Sequence, residues 1–336
     1  MTSFAPAPLD LCAIGNVCID LIATVPDEFL ERHHIAKSIT TLIDGRQLAA
    51  IEVELPEMLR LPGGVGGNVS HVVAALGGRA GFQGKCGQDS SGALFAADLK
   101  AHNIAAHLPI VSDPSLNSSQ IVCLGSLDGD RTFASYDGAA KTLVPEDLDR
   151  EMISNSKALY LDGFCLMAPG ALATYLLAID INRAAGGLAF FNPCDPYVIT
   201  SYPDCVKTLL AKVDGVICNL TEARMLFGDG ELRVIAERMA QSYKAGAVTD
   251  GAHGAWVFRD TELAFIPPAN ISALPRIDSN GAGDHFAAGF IYGMLSGLPL
   301  EAAGRLGCAC SLDCLSHAGA RPLGSLRHLV LALTKI

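Results

Sequence analysis

Hydrophobic residues in this chain fall into short continuous runs that alternate with longer stretches of helical spacing. Residues 9–14 form an apolar run that stops at Gly15, as a buried strand would. After a glycine-rich turn, apolar residues recur at helical intervals over 68–76. The two patterns then take turns: strand 80–85 and helix 91–101, strand 158–161 and helix 170–184, strand 188–191 and helix 206–210, strand 215–218 and helix 221–227. A helix over 236–244 leads into a strand at 247–249, and a strongly apolar helical run ends at Leu295. This alternation predicts a mostly parallel sheet flanked by helices.

Two segments break the pattern. Residues 19–61 contain extended pieces such as 40–43, and 119–137 reads as a hairpin with Asp128-Gly129 at its turn. Either they are ordinary surface hairpins or they build a small β-rich lid inserted into the α/β body. No composition shift marks a linker, so residues 1–336 read as a single domain.

Composition narrows the class. Half the residues are hydrophobic and 18 % are charged, which supports a sizeable core and excludes disorder. A net charge of −11 speaks against a nucleic acid or an anionic membrane as the main partner. It leaves room for a nucleotide, since a local nest of N–H groups binds phosphates within an acidic protein. Eleven cysteines without a Cys-x-x-Cys pair suit a reducing cytoplasmic setting. Cys308, Cys310 and Cys314, in a helical apolar stretch, read as buried packing groups rather than a metal site. The amino terminus lacks a basic region followed by an apolar core, and the longest uncharged runs contain Pro or several Gly, so a soluble protein is expected.

Chemistry concentrates in a few motifs. Gly281-Ala282-Gly283 precedes the helical run to Leu295, and three small residues there bare N–H groups at a helix start. That is an anion site suited to phosphate oxygens. Asp284 beside it fits a group that takes a proton from an attacking hydroxyl, hence phosphoryl transfer to an alcohol; the plainer alternative is a first-turn carboxylate stabilising the helix dipole. Gly63, Gly64, Gly66 and Gly67 let backbone approach a ligand ahead of Asn68, or simply make a tight turn into a helix. Asn16 and Asp20 follow the first strand, where an Asp is either a turn residue or an acceptor for adjacent hydroxyls. Asn219 and Glu222 have capping-box spacing. Thr249, Gly251 and Gly254 lie between strands, as a hairpin turn would. Arg131 is a surface cation or a phosphate contact, and Phe133 and Tyr136 either stack on a ligand or pack in the core. Gly84-Lys85 lacks the remaining P-loop residues, and no Gly-x-Gly-x-x-Gly opens a helix.

The run Asp278-Ser279-Asn280-Gly281-Ala282-Gly283-Asp284 closely resembles the carboxy-terminal signature of the ribokinase (PfkB) carbohydrate kinase family, in the form most like its adenosine kinase branch. The glycine turn with Asn68 and the Ala-Ala-Leu-Gly of 74–77 resembles that family's amino-terminal motif, and the resemblance extends from Leu9 to Gly319-Ala320-Arg321-Pro322. It implies a ribokinase-like three-layer α/β/α fold with a β-sheet lid formed by segments of about 19–61 and 117–137. It also implies ATP and Mg2+, with a monovalent cation such as K+ compatible. Under the resemblance, Asp284 orients and deprotonates the acceptor, and Gly281, Ala282 and Gly283 hold the migrating phosphoryl. Asn16, Asp20, Gly63, Gly64 and Asn68 bind the substrate, with Phe133 and Tyr136 beside it. Arg131, Asn219, Thr249, Gly251, Gly254 and Asn280 serve ATP, and Glu222 with Asn219 helps place the metal through water. Partners expected are a small nucleoside or sugar, with the chain a monomer or homodimer. Adenosine at its 5′-hydroxyl is the first choice of acceptor. A free ribose, ketohexose or deoxy-sugar acid comes second, and a non-catalytic sensor on the same fold third. His285, where the family more often has a small residue, is expected at the pocket floor.

Overall fold

Successive residues of the first strand, β1 (Leu9–Ile14), point into two different cores. Leu11 and Ala13 enter one; Cys12 and Ile14 enter the other. Burial on both faces explains why this strand reads as an unbroken apolar run. Strands are numbered in chain order, and the same split runs through β9 (Ser156–Asp162), β10 (Leu188–Asn192) and β11 (Gly215–Asn219). Tyr160, Phe190 and Ile217 face the first core, and Leu161, Phe191 and Cys218 the second. This computed structural model describes residues 7–55, 57–126, 131–268 and 279–334, apart from the Arg131 side chain.

β5 (Ala80–Gln83), β6 (Ala105–His107) and β12 (Ala245–Thr249) extend the parallel arrangement. β13 (Ala255–Arg259) and β14 (Glu262–Ile266) add an antiparallel hairpin at one edge. The sheet order is β14-β13-β12-β11-β10-β9-β1-β5-β6. Helices Val65–Leu76, Ser90–Ala101, Ala282–Leu295 and Leu300–Leu315 cover the first face. Helices Ala171–Ala184, Pro203–Leu210, Leu220–Phe227 and Leu232–Ala240 cover the second, giving three layers.

A second sheet is built from β2 (Cys18–Val25), β3 (Thr40–Leu42), β4 (Leu59–Pro62), β7 (Ser119–Ser126) and β8 (Arg131–Tyr136), in the order β3-β8-β7-β2-β4. The expected hairpin is the antiparallel β7–β8 pair; its Asp128-Gly129 turn lies outside the described residues. Segment 19–61 is less extended than its pattern suggests, because it also holds helices Asp27–Arg32 and Gly45–Glu54. The second of these starts at Asp44, whose carboxylate accepts from the Arg46 and Gln47 amides at 2.8 and 2.9 Å. Asp44 is thus a helix cap.

Small residues let helices Ala282–Leu295 and Leu300–Leu315 approach closely. A Cβ on Gly289 would lie 2.9 Å from both Cys310 Sγ and Gly307 Cα. Cys310 and Cys314 are buried here and Cys308 is half-buried, its thiol pushed up to about 11 by burial. All three pack rather than ligate.

On the far face, buried Asn182 ties helix Ala171–Ala184 to the start of β9 by donating to Ile153 O (3.2 Å) and Ser156 O (2.7 Å). Removing the amide leaves two buried carbonyls short of a donor, at about 1–3 kcal/mol each. Asn182→Ala is expected to lower the unfolding midpoint by roughly 2–4 °C per kcal/mol lost while room-temperature turnover stays at the wild-type value. A calorimetric scan beside a rate assay checks both.

Candidate active site

The carboxyl ends of the central strands open onto one cavity of about 890 Å³. Asn16 follows β1 there, and Asp162, Asn192, Asn219 and Thr249 end β9, β10, β11 and β12. Open α/β sheets bind ligands at this end, because polar groups and helix starts converge there. The five-stranded sheet forms the opposite wall, contributing Asp20, Leu42, Ile121 and Phe133.

Gly281 makes the turn into helix Ala282–Leu295 in the left-handed region, at φ 81°, and a Cβ there would come 2.6 Å from that of Ala320. The Ala282 amide donates to Ser279 O at 3.3 Å. Gly283 and Asp284 follow in the first turn, where N–H groups have no acceptor within the helix. Gly283 borders the cavity, and a Cβ on it would meet no protein atom within 4 Å. That clearance is room for a ligand.

Asp284 is buried and accepts from Asn68 Nδ2 at 2.8 Å. Burial pushes its carboxyl up to about 7, opposed by the Asn68 hydrogen bond and assisted by the charges of Asp162, Asp20 and Glu222. Asn68 Oδ1 is also buried and has no partner among the described residues, leaving an acceptor in want of a donor beside Asp284.

Each glycine before Asn68 has its own reason. A Cβ on Gly63 would strike the Asp20 carboxylate at 2.5 Å, and on Gly64 (φ 78°) the Asn16 carbonyl at 2.7 Å. Gly66 lies 3.2 Å, by the same measure, from Gly15 Cα, and Gly67 lies 2.7 Å from an Arg321 nitrogen. Close backbone approach, rather than flexibility, sets the motif.

Asp162 was not singled out from the sequence. It is buried in the cavity wall and accepts from the Phe164 amide at 2.9 Å and from the Gly66 and Asn16 amides. Burial pushes it up to about 6 against those hydrogen bonds. Its position as the last residue of a buried parallel strand was the available signal. Cys194 was likewise missed: at φ 69° it holds its thiol 3.2 Å from Asn192 O and 3.5 Å from Asp162 Oδ1. Asn219 and Glu222 both border the cavity. They form a capping box, yet Glu222 is buried at the cavity with its carboxyl pushed up to about 7, chiefly by desolvation.

Other expected residues fall elsewhere. Strand alternation puts Phe133 on the cavity side of β8 and Tyr136 in the core, so Tyr136 is no ligand contact. Gly251 and Gly254 form the β12–β13 turn at φ 49° and 96°, outside the cavity wall that Thr249 reaches. Gly63 backs Asp20 rather than lining the cavity. Ala282 is also off the wall, its carbonyl accepting from the Ser311 hydroxyl at 2.7 Å. His285 is not a pocket floor; it is buried between Cys310 O (3.0 Å) and Ala320 O (3.1 Å), with desolvation lowering its pKa. Asn280 and Gly64 do border the cavity, whereas the Arg131 side chain and Asp278 lie outside the described residues.

A three-layer α/β body with a helix tip and a buried acid at the strand ends is that of a phosphotransferase with an alcohol as acceptor. The pfkB family carbohydrate kinase pattern matches residues 9–325, and the chain belongs to this family. A probable sugar kinase from Rhizobium etli CFN 42 is 28 % identical with a TM-score of 0.87, over 98 % of this chain and 100 % of that one. The adenosine kinase from Sinorhizobium meliloti is 30 % identical with a TM-score of 0.86, over 97 % and 99 %. A 5-dehydro-2-deoxygluconokinase from Geobacillus thermodenitrificans is 26 % identical over 93 % of this chain and 89 % of its own length. Sugar and nucleoside kinases both stand among its relatives.

Two outcomes test the geometry. Gly283→Ala adds a methyl that touches no protein atom and favours helix by about 1 kcal/mol, so it should leave the unfolding midpoint unchanged or higher while lowering turnover at least tenfold. Asp284 in the folded state binds its proton more tightly than in the unfolded chain. The stability it contributes is therefore complete below the ordinary Asp pKa and lost as pH rises through about 7. Asp284→Asn removes that loss, so its stability margin over the wild type should grow between pH 5 and pH 8 in thermal scans.

Proposed function

We propose that this chain is an ATP-dependent kinase acting on the 5′-hydroxyl of a nucleoside, with adenosine the first choice. The observation that carries the reading is the buried Asp284–Asn68 pair beside the open first turn of helix Ala282–Leu295. Asp284 orients the acceptor hydroxyl and takes its proton as the new O–P bond forms, then releases that proton to solvent. A carboxylate near pKa 7 is a stronger base than an ordinary one, yet alignment and charge stabilisation still provide most of the rate. The Gly281 and Gly283 amides face the charge on the migrating phosphoryl group, the Ala282 amide being held by Ser279 O. Asn280 and Thr249 border the nucleotide's side of the cavity, with the turn holding Gly251 and Gly254 behind Thr249. In this reading Arg131 serves the phosphates of ATP.

Kinases of this family use ATP with a divalent metal. The described cavity wall includes six carboxylates, Asp20, Asp137, Asp162, Asp195, Glu222 and Asp284, and no Lys or Arg, so the donor set fits a cation. Glu222, fixed by Asn219, would hold Mg2+ through water, and the metal supplies positive charge against the polyphosphate. The five-stranded sheet acts as the lid that keeps water from the transferable phosphate, within a single domain.

The walls favour an uncharged acceptor with an apolar face. Leu42, Ile121 and Phe133 offer a surface for a base on the same sheet as Asp20, which with Asn16 and Asn68 suits ribose hydroxyls. A neutral hexose is the second reading, since the polar floor serves it equally. A sugar acid would bring another negative charge to a site that already holds six carboxylates.

A transfer panel of adenosine, other nucleosides, free hexoses and deoxy-sugar acids, with ATP and Mg2+, tests the acceptor. Adenosine is expected to give the highest kcat/KM; hexose turnover with none on nucleosides would overturn that choice. In the same assay Asp284→Asn should lose about 10²–10⁴-fold in kcat with the fold retained, and wild-type kcat/KM should fall as pH drops below about 7.

A further inference from the structure

The loop after helix Leu300–Leu315 touches both halves of the site through two adjacent residues. Ala320 packs against Gly281, and its carbonyl lies 3.1 Å from His285 Nε2. It is the contact that dictates glycine at the phosphate turn. Arg321, next in the chain, places its guanidinium under the other turn. There Nη2 donates to Gly63 O at 2.9 Å, and Gly67 has no room for a Cβ because of the same nitrogen.

This arginine is not a solvated surface group. Its side chain is 10 % exposed, Nη1 pairs with the Asp98 carboxylate, and its central carbon sits 4.8 Å from the centre of the Phe95 ring. Burial lowers its pKa to about 10 against the charges of Asp98 and Asp20. A desolvated guanidinium persists where its planar fork is matched on several sides, as here by a carboxylate, a carbonyl and a ring face. Asp98 is shared with His71, whose Nε2 is 2.7 Å away, and His71 Nδ1 lies 2.8 Å from Gly67 O. One charge cluster therefore meets the Gly63 carbonyl, just ahead of helix Val65–Leu76, and the Gly67 carbonyl in the first turn of that helix. The residue after that turn is Asn68, the partner of Asp284. Arg321 itself does not line the cavity.

We infer that Arg321 is a positioning residue for the acceptor: its guanidinium, with Asp98 and His71, fixes the segment that backs Asp20 at Gly63 and presents Asn68 to Asp284. Ala320 fixes the phosphate turn at the same time. The dipeptide 320–321 thus sets the spacing between the acceptor hydroxyl and the transferable phosphate. The inference rests on the acceptor lying between Asp20, Asn68 and Asp284, as proposed above.

Steady-state kinetics of Arg321→Lys and Asp98→Asn test it, with adenosine or whichever acceptor the wild-type enzyme phosphorylates in the panel. Lysine keeps the charge but cannot bridge carboxylate and carbonyl in one plane; asparagine leaves Arg321 in place without its counter-charge. Both variants are expected to raise acceptor KM at least tenfold while ATP KM stays within twofold. Equal shifts in the two KM values, or a lowered unfolding midpoint with wild-type acceptor KM, would assign Arg321 to general stability and overturn the inference. Should Arg321→Lys fail to fold, Asp98→Asn by itself distinguishes the same two results. A wild-type enzyme that phosphorylates nothing in the panel sinks the functional reading instead, which separates the two failures.

Discussion

A carboxylate forced to stay buried at a helix tip is the constraint around which this molecule is arranged. Holding Asp284 near 7 rather than 3.8 represents on the order of 4 kcal/mol of disfavoured charge. A mobile element would relieve it by swinging the side chain into water. Helix Ala282–Leu295 cannot, because it is wedged between helices Val65–Leu76 and Leu300–Leu315, with Gly289 and Gly293 admitting backbone contact. The packing that makes this helix apolar on most of its surface also aims its first turn at the cavity. Core and chemistry are therefore one problem: the glycines that pack the helix keep its acid in place.

Much of this was legible in the sequence, for identifiable reasons. Parallel strands buried on both faces leave unbroken apolar runs, so β1, β9, β10 and β11 are readable within a residue or two. Gly281-Ala282-Gly283-Asp284 was readable because a helix start, an anion site and an acid coincide at fixed spacing. Less was visible where tertiary contact decides. Helix Asp27–Arg32 is short, and helix Gly45–Glu54 buries only Leu48 and Ile51. Tyr136 and Phe133 are separated by strand parity, which places them on opposite faces only once the register of β8 is known. Asp162 has neighbours in space that no spacing announces: Gly66 and Asn16 come from segments far from it in the chain.

Glycine at positions 63, 64, 66 and 67 shows how a motif encodes contact rather than freedom. Only Gly64 of the four needs a left-handed backbone. The remaining three are glycines because Asp20, Gly15 and Arg321 occupy the space a methyl would take. In the sequence they form one flexible-looking stretch. The structure shows a turn clamped from Asp162 on one amide and from Arg321 and His71 on two carbonyls. Pre-organisation of this kind matters for a weak base, since little of the rate comes from basicity.

Charge decides what such a site admits. At about 5 Å and an effective dielectric near 20, two like charges repel by roughly 3 kcal/mol, or about a hundredfold in affinity. Asp20, Asp162, Glu222 and Asp284 share a cavity whose described lining residues include no Lys or Arg, so in the proposed reading an anionic acceptor meets that penalty wherever one of them is ionised. A neutral acceptor avoids it and gains hydrogen bonds to the same carboxylates. In the proposed reading the polyphosphate meets the helix tip instead, where the partial positive charge of the helix start lies. On that reading the segment 63–68 serves the hydroxyls and the turn 281–283 the phosphate. Acceptor choice would then rest on the wall that Leu42, Ile121 and Phe133 provide, because the carboxylates treat a ribose and a hexose alike.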